Sequence, residues 1–262
     1  MAHDIVEVRA FYATPLGRLA RRFIGEFVSQ RWDNTAGLSL LGIGYAPPYL
    51  QTFRKDALRT LAFMPAALGV VNWPGAGASS TALVDTTLLP LPDSSMDRVL
   101  LVHALETSDA PQEMLAEIWR ILTPGGRLII VAPNRGGVWA RSDNTPFGYG
   151  QPYSRRQLRE FLKQAQFSPV TWSEGLYMAP SARRFMLRLA PFIESLGKRL
   201  SLPGAGVHLV EATKQLYRPV AVRRAAARAL PQLAPAALNS KTVGRIADDA
   251  GAVSTRWSES RP

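Results

Sequence analysis

The chain has 262 residues, of which 47% are hydrophobic and 19% charged, so it can bury a large core and lacks the composition of a disordered protein. It contains no cysteine, which excludes disulfides, iron–sulfur clusters, thiolate zinc sites and cysteine nucleophiles. The formal net charge of +11 bears on partners and solubility rather than on the fold. His3, His103 and His208 are too scattered along the sequence to predict a metal site.

The N-terminal stretch predicts neither a secretory signal nor a membrane anchor, because Asp4, Glu7 and Arg9 interrupt it early. No apolar run reaches the roughly 20 residues that a membrane-spanning helix needs. We therefore expect a cytoplasmic protein.

Helices and strands alternate along the sequence. Apolar residues at helical spacing predict an amphipathic lead-in helix over residues 11–31. Further helices are predicted at 47–58, at 111–122 with TPGG as its stop, at 154–167 opened by Ser154, and at 181–200 with a kink or break at Pro191. The predicted strands are 37–44, 59–65, 81–85, a run centred on 98–102, 127–133, and two closing strands within 168–180 and 206–217. This alternation predicts an α/β fold with a doubly wound, mostly parallel sheet.

Ligands of such sheets lie outside the carboxyl ends of the strands, so the residues that follow each strand are candidates. Gly42 and Gly44 end the first strand, where missing side chains allow a ligand to approach the backbone. A tight turn explains the same glycines equally simply. Asp85 ends the third strand and predicts either an acceptor for an amine or hydroxyl, or an ordinary turn acid.

Three segments carry a family resemblance: LLGIGYA, then VDTTLLPLPDSSMDRVLLVHALE, then EMLAEIWRILTPGGRLIIVAP. In this order they resemble the class I S-adenosylmethionine-dependent methyltransferases, in particular the type 11 branch. The resemblance covers about residues 35–135 and extends to about 218 if the closing strands are included. It implies a Rossmann-like, seven-stranded sheet with helices on both faces, and S-adenosylmethionine as the cofactor. The domain scheme is then a helical lead-in at 1–35, the α/β domain at 36–218, and a basic helix with a flexible tail at 219–262.

The resemblance also implies roles for individual residues. Gly42, Ile43 and Gly44 would line the methionine part of the cofactor, and Asp85 with Thr86 would meet the adenine. Val102 and His103 would close the pocket near the sulfonium, and Asp97 would be structural.

The sequence departs from the family pattern at three places. Leu40 stands where an acid usually precedes the glycine turn, and Ala46 replaces the third small residue. Met64 or Pro65 stands where an acid usually binds both ribose hydroxyls. Two hypotheses therefore remain: a methyltransferase acting on a small-molecule or lipid-like acceptor, and a degenerate methyltransferase-fold protein that serves as a binding or regulatory module. A dinucleotide-dependent oxidoreductase is disfavoured because GxGxxG and the acid of the second strand are both absent.

Methyl transfer needs correct placement of the acceptor, and a general base when the acceptor is an OH or NH group. His103 is the candidate base, with the alternative that it is a strand-end histidine bonded to backbone. Tyr149, Gln151 and Tyr153 belong to a long loop that we interpret as a substrate lid, with simple loop packing as the alternative for the tyrosines.

Two basic segments bear on partners. In 181–200, Phe185, Leu189, Phe192 and Leu196 share one face, which predicts either contact with an anionic membrane or lipid-like acceptor, or an ordinary core-facing helix. The tail beyond 218 lacks the aromatic residues that stack on single-stranded nucleic acids, so no nucleic-acid partner is expected.

Overall fold

A computed structural model describes residues 4–200 and 202–216. The predicted helix and tail at 219–262 lie outside these residues, and the predicted domain boundaries stay predictions. The helices are α1 Ile5–Ala13, α2 Pro15–Arg31, α3 Pro47–Leu50, α4 Pro111–Ile121, α5 Arg155–Gln164 and α6 Arg184–Leu200. The strands are β1 Ser39–Gly44, β2 Arg59–Pro65, β3 Thr81–Val84, β4 Met96–Val102, β5 Leu122–Pro133, β6 Phe167–Gly175 and β7 Val207–Lys214. Two short 3-10 turns, Trp139–Arg141 and Pro146–Gly148, lie in the loop after β5.

The seven strands form one sheet in the order β3-β2-β1-β4-β5-β7-β6. Strands β1 to β5 are parallel to one another, whereas β7 runs antiparallel to both β5 and β6. The strand order reverses between β1 and β4, so the carboxyl ends of these two strands border the crevice where a ligand of this fold class lies. The predicted doubly wound, mostly parallel sheet is confirmed.

Each face of the sheet has its own apolar core. On one face, Phe23, Ile24 and Ala190 from α2 and α6 pack with Leu40 and Leu100 of the sheet. On the other face, residues of α4 and α5, including Leu115, Ile118 and Leu158, pack on alternate strand residues. The predicted placement of helices on both faces is confirmed.

The N-terminal region differs from the single helix predicted for 11–31. Thr14 is extended and ends α1, and its side chain accepts a hydrogen bond from the Gly17 amide and so caps α2. Pro15 occupies the first position of α2, where its missing N–H costs nothing. The chain therefore reverses at Thr14 into two helices.

Two further helices differ from their predictions, one in its length and the other in how it ends. The helix predicted for 47–58 is only the four-residue α3, followed by turns. Helix α4 ends at Ile121 and not at a glycine, because the next residue, Leu122, is already extended and pairs with Met96. Helix α5 begins as predicted at Ser154, which forms a capping box with Gln157.

Helix α6 excludes one of the alternatives at each of two points. Pro191 lies inside one continuous helix, so two short helices are wrong and a kink stays a prediction. Phe185, Leu189, Phe192 and Leu196 are exposed, so the core-facing alternative for this face is wrong. Within the described residues, we find no helix that is both apolar enough and long enough to span a bilayer.

Candidate functional site

The glycine turn after β1 is required by packing alone. Gly44 has φ +83°, and a Cβ built on it would lie 2.1 Å from the Val102 carbonyl oxygen. A Cβ on Gly42 would lie 2.3 Å from the Cβ of Ala46. Both positions exclude a larger residue whether or not a ligand binds. Ile43 is fully buried in the core between them.

Helix α1 covers this turn. It is anchored by the Ile5 amide, which donates to the Leu68 carbonyl at 2.8 Å. The Tyr12 ring stacks on Tyr45 with a centroid separation of 5.2 Å, and the Tyr49 hydroxyl donates to the Tyr12 hydroxyl at 3.0 Å. Burial raises the pKa of Tyr12 well above its usual value and raises that of Tyr49 as well. This half of the crevice is therefore filled by neutral, hydrogen-bonded tyrosines.

His103 lies at the centre of a buried polar chain. Its Nε2 is 2.9 Å from the Tyr12 hydroxyl, and its Nδ1 is 3.2 Å from Glu106 Oε1. The backbone of His103 has φ +54°, an uncommon conformation for a residue other than glycine that recurs at functional sites. Its ring is thus bonded to side chains, and the alternative of a histidine bonded to backbone is wrong.

Glu106 is a candidate that sequence reasoning missed. Its side chain is buried, and Oε2 has no hydrogen-bond partner among the described residues. A buried carboxylate oxygen without a partner is costly, so such an atom commonly marks a place for a ligand, a water or a proton. The signal in the sequence was the three-residue spacing from His103 at the end of β4.

The second half of the crevice, over the ends of β2, β3 and β4, contains open space. A cavity of about 300 Å³ lies against Pro65, Ala66, Asp85, Thr86 and Ser108, among other residues. The Asp85 carboxylate accepts hydrogen bonds through Oδ1 from the amide and the hydroxyl of Thr87, which lower the pKa of Asp85. Asp85 therefore presents a charged, solvent-accessible acceptor beside a cavity lined by both apolar and polar residues.

A second cavity of about 440 Å³ shares residues with the first, among them Pro65, Thr107 and Ser108. Glu106, Tyr149 and Gln151 also line it. The loop after β5 is held there because the Gln151 amide donates to the Glu106 carbonyl at 2.7 Å. Gly150 allows this approach, since a Cβ there would lie 2.2 Å from the same oxygen.

The structure brings some of the predicted site residues together and separates others. Asp85 and Thr86 line the first cavity, and Tyr149 and Gln151 the second. Tyr153 is buried away from both, and its hydroxyl donates to the Leu105 carbonyl at 3.0 Å. The predicted residues of the glycine side stand at the crevice without lining either cavity: Gly42, Ile43, Gly44, Val102 and His103. Their roles toward a ligand stay predictions.

Comparison with known proteins matches this geometry to a family. Residues 35–130 match the model of a family described as "Methyltransferase domain". A crystal structure of a SAM-dependent methyltransferase from Thermotoga maritima superimposes with a TM-score of 0.57, covering 80% of this chain and 96% of that one at 16% identity. Residues 35–130 therefore match a methyltransferase domain, and the superposition shows that the fold is shared. The strand order and the family match together confirm the resemblance seen in the sequence.

Curated relatives of this domain are also methyltransferases. A demethylmenaquinone methyltransferase from Deinococcus radiodurans is 43% identical over 133 residues, which are 47% of each chain. A malonyl acyl-carrier-protein O-methyltransferase from Alcanivorax borkumensis is 28% identical over 127 residues, 46% of this chain and 40% of the relative. The matched stretch thus spans less than half the length of either relative.

The residues present fit the cofactor that the family implies, S-adenosylmethionine, at the end of the crevice where the resemblance predicts the adenine. There the chain offers a cavity with an acceptor carboxylate, Asp85, at its rim. The positions of the two missing acids are apolar, since Leu40 and Met64 are both fully buried and Pro65 lines the cavities. Over the glycine turn, Tyr12 and Tyr45 occupy the crevice.

Asp97 has the structural role expected of it in the methyltransferase domain. Its Oδ2 accepts a hydrogen bond from the Ser39 amide at 2.8 Å, and its Oδ1 accepts one from the Thr123 hydroxyl at 3.2 Å. Asp97 therefore links the starts of β1, β4 and β5, at the end of the sheet opposite the cavities.

Proposed function

We propose that this protein transfers a methyl group from S-adenosylmethionine to a small-molecule or lipid-like acceptor. One observation carries the proposal: two adjoining cavities lie at the carboxyl ends of β2, β3 and β4, one beside Asp85 and the other beside Glu106, Tyr149 and Gln151. A paired arrangement of this kind offers room for a cofactor and an acceptor side by side. The names of the two relatives, with malonyl acyl-carrier protein and demethylmenaquinone, support an acceptor of the same broad class.

Asp85 would accept a hydrogen bond from the adenine amine in this arrangement, and Thr86 would lie beside it. When bound, the cofactor supplies an electron-poor methyl group, so the main task of the protein is to orient the acceptor and exclude water. Tyr149 and Gln151 are placed to contact an acceptor in the second cavity. Gly42, Ile43, Gly44 and Val102 would border the methionine part after α1 moves from the glycine turn.

A base is needed when the acceptor loses a proton, and His103 with Glu106 is the pair that the site offers. The hydrogen bond between Glu106 Oε1 and His103 Nδ1 orients the imidazole, as in other carboxylate–histidine pairs. The Tyr12 hydroxyl holds Nε2. His103 would therefore take up a proton only after Tyr12 has moved away or through the Tyr12 hydroxyl itself.

Calorimetry with S-adenosylmethionine and S-adenosylhomocysteine tests the proposal. We expect binding of both by the wild-type protein, weaker binding by Asp85→Ala, and unchanged binding by Asp56→Ala, an exposed acid elsewhere on the domain. No heat and no thermal stabilisation with either compound would exclude the cofactor. Loss of binding in Asp56→Ala as well would show that the effect of Asp85→Ala is not local.

A binding or regulatory module with the methyltransferase fold is the second candidate. It is favoured by the buried Leu40 and Met64 where acids are usual, and by the Tyr12 and Tyr45 rings over the glycine turn. This candidate predicts that neither compound binds. It also places function in the basic C-terminal region, so a chain that ends near residue 219 would lose that function. If the protein is a methyltransferase, the same shortened chain would retain cofactor binding.

A further inference from the structure

Helix α6 presents five large apolar side chains to solvent, while Leu187 and Ile193 of the same helix pack partly buried against the core. The exposed fractions are 68% for Phe185, 36% for Leu189, 65% for Phe192, 39% for Leu196 and 58% for Leu200. The fully buried residues of the same helix are Ala190, Glu194 and Gly197. An amphipathic helix usually keeps such large apolar residues on its inner face, whereas here five of them lie on the outer face.

The exposed residues form one continuous stripe. Their spacing of four, three, four and four residues confines them to about 80° of the helix circumference. The three buried residues are centred about 130° away from this stripe by the same geometry. An apolar patch that is both contiguous and directed away from the protein marks an interaction surface.

The opposite side of α6 is already closely packed, so the stripe cannot be turned inward. A Cβ on Gly197 would lie 2.3 Å from the Tyr177 ring. Glu194 accepts hydrogen bonds from the amides of Leu176 at 3.0 Å and Tyr177 at 2.8 Å. These contacts fix the rotation of the helix with Phe185 and Phe192 outward.

The charge around the stripe is positive. Arg188 and Arg199 follow the stripe on one flank, and Arg183 and Arg184 add charge at the start of the helix, all four being exposed. The only acid between residues 181 and 200 is Glu194, which is buried and lies 3.4 Å from Lys198. The outward side of α6 therefore combines apolar and cationic groups without an exposed acid.

We propose that α6 docks this protein on an anionic lipid membrane, lying in the plane of the interface. Phenylalanine and leucine side chains would enter the boundary between headgroups and acyl chains, and the flanking arginines would contact anionic headgroups. Charge complementarity favours this occupant over an apolar protein surface, for which four exposed arginines beside the stripe would have to be desolvated or paired. The inference rests on α6 alone and holds whichever of the two functions the crevice performs.

Flotation of the full chain with lipid vesicles tests the proposal. We expect binding to vesicles that contain phosphatidylcholine and phosphatidylglycerol, weaker binding at high salt, and little binding to phosphatidylcholine alone. The variant Phe185→Ser/Phe192→Ser should lose binding about tenfold or more, because two apolar anchors are removed. The matched control Leu58→Ser/Val170→Ser, with side chains 73% and 57% exposed elsewhere on the domain, should bind like the wild type.

Three outcomes would overturn the proposal. The first is no binding of the wild type to anionic vesicles. The second is equal binding by Phe185→Ser/Phe192→Ser, with deletion of 219–262 abolishing it, which would assign binding to the basic tail. The third is a change of oligomeric state in the same variant by light scattering without an effect on vesicles, which would make the stripe an interface between proteins. Thermal melting should be unchanged in both double variants, since all four side chains are exposed.

Discussion

The two halves of the crevice are built differently. The closed half, over β1, is filled by Tyr12, Tyr45 and Tyr49 with His103. The open half, over β2, β3 and β4, contains two cavities with Asp85 and Glu106 at their walls. The glycine turn that most resembles a cofactor motif thus lies under the closed half, whereas the groups with unused hydrogen-bonding capacity border the open one.

This difference separates packing from recognition. In the closed half, the Tyr12 and Tyr49 hydroxyls and the His103 imidazole form hydrogen bonds with one another. In the open half, Glu106 Oε2 has no partner among the described residues, and Asp85 uses Oδ1 for its bonds to Thr87. Under the proposed function, a ligand would therefore bind in the open half and would reach the glycine turn only after α1 had moved.

Replacing Gly44 by alanine should give the largest effect. The new Cβ would meet the Val102 oxygen at 2.1 Å, and φ +83° adds strain, so we expect a loss of more than about 3 kcal/mol in the free energy of unfolding. Gly37→Ala is the matched control, since its φ is +74° with nothing within 4 Å, and it should cost only about 1 kcal/mol. Urea denaturation measures both. Equal losses would mean that backbone conformation alone requires glycine here.

Removing the Tyr12 hydroxyl should weaken the closed half. Tyr12→Phe leaves His103 Nε2 and the Tyr49 hydroxyl without their shared partner, which should cost about 2 kcal/mol of unfolding free energy. Tyr153→Phe loses a single bond, to the Leu105 carbonyl, and should cost about 1 kcal/mol. Denaturant titration of the two variants makes the comparison. A neutral Tyr12→Phe would show that apolar packing, and not this polar chain, keeps α1 over the turn.

The same tyrosines should make the protein sensitive to alkali. Burial raises the pKa of Tyr12 and Tyr49, so the folded state holds their protons where the unfolded state, with pKa about 10, releases them. Their contribution to stability is complete below pH 10 and is lost as the pH rises above it. Each tyrosine contributes a slope of up to about 1.4 kcal/mol per pH unit. The unfolding free energies of the wild type and Tyr12→Phe should converge as the pH rises from 8 to 11. Parallel curves would contradict a raised pKa for Tyr12.

The sequence predicted those elements whose signals are local. All seven predicted strands are present, although β5 begins at Leu122, before the predicted start at residue 127. Helices α4 and α5 follow from apolar spacing with Pro111 and Ser154 at their starts. The expected Asp85 position is also correct, because the end of a short strand is visible from its flanking turn residues. Local propensity and periodicity suffice for such features.

The features that sequence reasoning missed depend on contacts between distant residues. Tyr12 meets His103 across 91 positions, and no pattern near either residue indicates the pair. The outward orientation of the α6 stripe is fixed by the contact of Gly197 with Tyr177 and by the hydrogen bonds of Glu194 with two backbone amides. Sequence periodicity shows that the apolar residues share one face but not whether that face points to the core or to solvent. Glu106 is three residues from His103, but its burial follows from the loop that carries Gln151.

Changing Asp85 to asparagine should have the smallest effect on stability and a clear effect on binding. The amide retains an oxygen for the Thr87 donors in an exposed turn, so the melting temperature at pH 7 should not change measurably. Affinity for S-adenosylhomocysteine should fall about tenfold, because a hydrogen bond to a charged acceptor becomes a neutral one. The measurement is calorimetric titration at constant salt.

Thr87→Val provides the control that separates charge from position in the open half. It removes the hydroxyl that donates to Asp85 Oδ1 at 2.7 Å and leaves the carboxylate itself in place. The pKa of Asp85 should rise toward its usual value, so the carboxylate stays ionised at pH 7, and affinity should fall less than in Asp85→Asn. If Thr87→Val weakened binding more than Asp85→Asn did, the geometry of the turn, and not the charge of Asp85, would determine recognition at this end of the crevice.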